Sequence, residues 1–144
     1  MPLEVAQIRR RVQARLAELK RHAAARREMV AAAEKAYATF LPESAVPVVN
    51  AVAHSLSAEG HPYRVTTPGA MVRMTSERSS RTYLEVRLDT SGPSPRILVE
   101  VGRERGNRVL TDDRVVGEGL PVESVTDEHL TTALIEAVGD LVER

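Results

Sequence analysis

The side chains with the most chemical potential in this 144-residue chain are arginines crowded near its start. Arg9, Arg10, Arg11, Arg15, Arg26 and Arg27 fall within one short stretch, together with Lys20 and Arg21. Guanidinium groups bind phosphate through charge and bidentate hydrogen bonds, so these six arginines are the candidates for binding a polyanion. Over residues 1–40, nine Lys/Arg oppose Glu4, Glu18, Glu28 and Glu34, a formal +5. The whole chain sums to zero, so the remainder carries −5. A basic arm attached to an acidic body attracts a nucleic acid, or equally the body of a second copy. Arg9, Arg10 and Arg11 are consecutive, so their charge wraps around a helix and does not line one face. No helix-turn-helix, zinc-finger or RNP pattern accompanies them, and aromatics that could stack on bases are scarce.

Other constellations are weaker. His22, His54, His61 and His129 show no metal-ligand spacing, and Glu128-His129 are neighbours that point apart on a helix. Asp112-Asp113 reads as a bend or turn within a strand region, with adjacent side chains on opposite faces. Gly102, Gly106, Gly117 and Gly119 fit no phosphate-binding loop. The mixed charges Arg73, Glu85, Arg87 and Glu100 read as cross-strand pairs on a wet sheet face. Arg78-Ser79-Ser80-Arg81 and Arg103-Glu104-Arg105 read as solvated turns. With no cysteine there is no disulfide, thiol nucleophile or Cys-based metal site. These readings predict no catalytic residues, no cofactor and no metal, hence a non-enzymatic protein.

The elements that carry these residues follow from periodicity. Val5, Ile8, Val12, Leu16, Leu19, Ala23, Val30, Ala33, Tyr37 and Phe40 recur in steps of three and four, with Arg26 or Arg27 filling the gap. No glycine interrupts residues 3–40. One nearly straight helix is predicted over residues 1–41, roughly 55 Å long. That exceeds the roughly 13–15 Å radius of gyration of a body this small, so part of the stripe must project. Val5, Ile8, Val12, Leu16 and Leu19 are the candidate self-association residues. Leu41-Pro42 is expected to break this helix, giving a hairpin or a bend, with a second helix over 44–59. Gly60 and Pro62 supply the stop.

Alternation predicts an antiparallel meander of four to five strands over 63–116. Thr67-Pro68-Gly69-Ala70 forms a type II turn and Gly106-Asn107 a hairpin tip. Thr126 caps a last helix over 127–143, with Val125 and Leu130 as a hydrophobic staple. The fold class is α+β, with the C-terminal and second helices on one sheet face, and a division into an arm (1–41) and a compact body (42–144). Hydrophobic content of 42% argues against disorder, and no apolar run is long enough for a membrane span. The absence of an apolar leader in MPLEVAQIRRR and of cysteine predicts a cytoplasmic protein; arginine in place of lysine suggests a GC-rich bacterial genome. The expected role is self-association, a dimer favoured, as an interaction or assembly protein. Nucleic-acid binding is the alternative.

Overall fold

The structure is a computed structural model and describes residues 4–142. Helix α1 covers Val5–Phe40. Its first turn is tied down by Gln7, whose Oε1 accepts the Glu4 N–H at 3.3 Å. Helix α2 covers Val46–Ala58. The expected break between them does not occur. Residues Leu41–Ala45 form a π-helical turn, and the backbone stays in the right-handed region through Phe40, Leu41, Ala45 and Val46. Pro42 lacks an N–H, and its ring would collide with the carbonyl of Ala38 in a regular α-helix. Widening the turn by one residue relieves that collision and lets the helix continue. The Val46 N–H reaches back to the Leu41 carbonyl across this wide turn. Pro47 lies at the start of α2, where the residue four back, Glu43, sits in the same widened turn. α1 and α2 therefore run on as one helical rod, and neither fold back as a hairpin nor separate.

Five strands follow: β1 Tyr63–Thr66, β2 Val72–Ser76, β3 Tyr83–Asp89, β4 Arg96–Arg105 and β5 Arg108–Val116. They pair antiparallel in chain order, as a meander. Gly69 (φ +59) and Gly106 (φ +61) occupy turn positions that require the left-handed region. Register stacks Val72 on Val86, Val86 on Val99 and Ile97 on Val116. These residues, with Met74, Leu84 and Val101, make one apolar face.

Helix α3 covers Asp127–Val142; residue 143, its expected last residue, lies outside the described residues. Thr126 opens it as expected. Its Oγ1 accepts the His129 N–H at 3.4 Å, and His129 Nδ1 accepts the Thr126 N–H at 3.0 Å. Val125 and Leu130 are both buried, as the staple requires. α2 covers β1 and β2, while α3 lies chiefly across β4 and β5. The core is completed by Ala33, Tyr37 and Phe40 from the end of α1 and by Val122 in a short 3₁₀ turn, Val122–Ser124. At the far end of α3, Arg103 Nη1 donates to the Asp140 carbonyl at 3.0 Å and Arg114 Nη2 to the Asp140 carboxylate at 2.8 Å. Cations at a helix C-terminus suit the helix dipole.

Leu134 is fully buried between α3 and the sheet, whereas its neighbour Ile135 is 61% exposed. Leu134→Ala is expected to lower the unfolding free energy by about 2–5 kcal/mol. Ile135→Ala should change it by no more than about 0.5 kcal/mol. Urea titration of the two variants beside the parent chain measures the contrast.

Candidate functional site

The body covers only the last part of α1. No described residue of α1 before Ala33 is fully buried, and Val5, Ile8, Val12, Leu16 and Leu19 are all exposed, from 45% at Leu19 to 82% at Val5. At about 100° per residue these five share a sector with Val30, Ala33, Tyr37 and Phe40. The exposed stripe is thus the outward continuation of the face that packs on the body. About twenty residues, or roughly 30 Å of helix, project.

The candidate arginines part company here. Arg9, Arg10 and Arg11 are exposed, and none has a side-chain partner among the described residues. Arg15 pairs with Glu18 at 3.3 Å, both largely in solvent, a contact that contributes little. Arg27 is exposed. Arg26 is different: it is half-buried and clamps the β3–β4 loop. Its Nη2 donates to the Thr90 carbonyl at 2.5 Å and its Nη1 to the Gly92 and Pro93 carbonyls at 2.6 and 3.4 Å. These bonds engage its guanidinium within the chain and mark where the projecting helix first meets the body. The gap that Arg26 fills in the apolar stripe was its only sequence signal.

Beside this junction lies an open cavity of about 830 Å³, lined by Ala25, Met29 and Ala32 of α1, the 93–96 loop and Leu120-Pro121. The alanines of the thin middle stretch leave this room. Glu28, Glu118 and Glu123 also line it, and none has an ion-pair partner among the described residues. It holds no converging set of acid, base and nucleophile.

The outer face of the sheet carries the most organised polar cluster. Arg73 Nη2 meets Glu85 Oε2 at 2.8 Å, and Arg87 Nη1 bridges Glu85 Oε1 at 3.3 Å and Glu100 Oε1 at 3.0 Å. The Tyr83 hydroxyl donates to Glu100 Oε2 at 2.6 Å, and the Arg73 guanidinium stacks 4.3 Å above the Tyr83 ring. The ring closes on itself and buries Glu85 to 5% exposure. Burial, the bond to Glu100 and the charges of Glu100 and Glu85 push the Tyr83 phenol up to about 12, against the opposing charge of Arg73. Burial alone would raise Glu100; the bonds from Tyr83 and Arg87 outweigh it and hold that carboxyl below its ordinary value. Every charge in the cluster is met by another, so the cluster welds β2, β3 and β4. The sequence pattern contained these charges but not the closure, which depends on Gly102. Tyr83 lies opposite Gly102, and a Cβ there would come within 2.2 Å of the ring. A glycine inside an alternating strand was the available signal.

The remaining candidates are dispersed. His22, His54 and His61 are exposed on separate elements, and His129 is engaged at the α3 cap. Among the described residues no group of three or more His, Cys, Asp or Glu is placed to hold a metal. Asp112 and Asp113 lie within β5, not in a turn, opposite Val101 and Glu100 and so on opposite faces. A ladder that continues to Arg108 keeps them extended. Arg78 donates to the Gly60 carbonyl at 3.0 Å and Arg81 pairs with Glu104 at 3.6 Å. No described helix is long and apolar enough to cross a membrane. No protein-family model, curated protein or solved structure matches the chain.

Gly102→Ala should expel the Tyr83 ring, lowering the unfolding free energy by about 1–3 kcal/mol and returning the phenol toward its ordinary pKa. Denaturant melts and phenolate absorbance read the two effects. In the parent chain the unfolded phenol ionises near 10 and the folded one near 12. Stability is therefore expected to hold below about pH 10 and to fall as pH rises toward 12. The depressed Glu100 works in the opposite sense, with stability lost as pH falls through its folded pKa. Melting temperature followed across both pH ranges, with Tyr83→Phe as control, tests both signs.

Proposed function

We propose that this chain is a non-enzymatic interaction or assembly protein that associates with a second copy through the projecting half of α1. The observation that carries this reading is the exposed row Val5, Ile8, Val12, Leu16 and Leu19 on a helix that outruns its own body. An apolar row of this length on a soluble surface is stabilised by a partner that removes it from water, at about 25 cal/mol per Å². Repetition of the same surface on every copy makes a closed two-fold pair the simplest assembly.

A second reading, contact with a nucleic acid, is supported by Arg9, Arg10 and Arg11, which are exposed and have no side-chain partner among the described residues. It is weakened by their spread around the helix axis and by the engagement of Arg26 in the clamp. Binding of that kind would decline steeply with salt and vanish when Arg9, Arg10, Arg11 and Arg15 become Gln.

Light scattering on the full chain is expected to give twice the monomer mass. Val12→Glu with Leu16→Glu places unpaired charge in the seam of both copies and should weaken association at least tenfold. The melting transition of the body should move little, since both positions are exposed in the single chain. A parent chain that stays monomeric at high concentration, or a dimer indifferent to these substitutions, would overturn the reading.

A further inference from the structure

We infer that the two copies pair antiparallel, the N-terminal end of each helix running toward the junction between α1 and the body of its partner. This rests on the self-association reading above and adds the geometry of the partner site. Its first support is steric. The body hangs on the same side of α1 that bears the exposed stripe, because the buried Ala33, Tyr37 and Phe40 continue the sector of Val5 to Leu19. A parallel pair joined through the stripe would put both bodies at one level between the helices. Packed helix axes lie about 8–10 Å apart, which leaves no room for two bodies, each a sheet and a helix layer deep. Antiparallel pairing sends the bodies to opposite ends.

The second support is charge. A parallel pair would align Arg9, Arg10 and Arg11 with their own copies. About an axis between Val12 and Arg15, the antiparallel pair staggers the two arginine runs along the helices and points each +5 arm at the −5 body of its partner. Near the junction lie the carboxylates of Glu28, Glu118 and Glu123 around the cavity beside α1, without an ion-pair partner among the described residues. With the axis at its Arg15 limit, each helix end also meets the partner's body, which adds to the area of the helix seam toward the roughly 1,200 Å² of a stable interface.

The register is bounded. Val5 opposite Leu19 aligns the two stripes fully and puts the two-fold axis at Val12. The clamp at Arg26 stops the incoming tip, so Val5 reaches no further than that level, which puts the axis near Arg15. The axis crosses α1 between these two residues.

The chain has no cysteine, so a single label site is clean. With full-length Lys35→Cys carrying a nitroxide, the antiparallel pair is expected to show a label-to-label distance of about 60–70 Å, from 1.5 Å per residue on either side of the axis. A distance below about 30 Å at this position would overturn the proposal. Lys35 is exposed, so the label leaves the fold undisturbed. A short distance in a dimeric parent sinks the antiparallel arrangement and leaves self-association standing; a parent that stays monomeric sinks both.

Discussion

The structure depends on one continuous helical run whose single apolar face is longer than the body it serves. From Ala33 onward that face is committed to the core, where the Tyr37 hydroxyl donates to the Val86 carbonyl at 3.3 Å. Because the helical backbone does not break at Pro42, α2, which covers β1 and β2, is joined to α1 through the π-helical turn with no loop between them. The docking of α1 thereby fixes where the remaining twenty residues point. Their apolar side chains have no choice of direction: they continue the packed sector into solvent.

The sheet beneath solves the opposite problem. Its inner face is apolar through β2, β3 and most of β4 and takes α2 and α3, while Arg103 and Arg114 at its far end meet Asp140 of α3. Its outer face has no helix over it among the described residues, yet buries Glu85 and Leu98. The ring of Arg73, Glu85, Arg87, Glu100 and Tyr83 makes this tolerable, since each charge meets an opposite one with hydrogen-bonding geometry. A buried carboxylate without such partners would be strongly destabilising. Tyr37 shows the same logic in the core, where burial raises its phenol and favours the neutral, hydrogen-bonded form.

Most of the fold was legible in the sequence because its signals are local. The alternation of Leu84, Val86 and Leu88 identifies β3, and Gly106-Asn107 identifies the β4–β5 hairpin. Thr126 followed by Asp127 and Glu128 identifies the start of α3. The Leu41-Pro42 break was misread because proline's demand is also met by a widened turn, and nothing in the local sequence selects between the two. Asp112-Asp113 resembled a turn for a similar reason. Both are disfavoured in strands, yet the long pairing with β4 overrides that preference.

By itself the sequence determined which side chains are apolar, how they repeat and where charge accumulates. This follows from covalent order and the periods of helix and strand. It therefore determined that one helix carries a stripe and that its arginines wrap the axis. Only the tertiary structure decided which arginine is engaged and which are free. It took the loop at Thr90–Pro93, more than sixty residues away in the chain, to engage Arg26. Only the tertiary structure decided, too, that the body lies on the stripe's own side of the helix. The relative placement of distant segments is set by how whole faces fit together, and no local period encodes it.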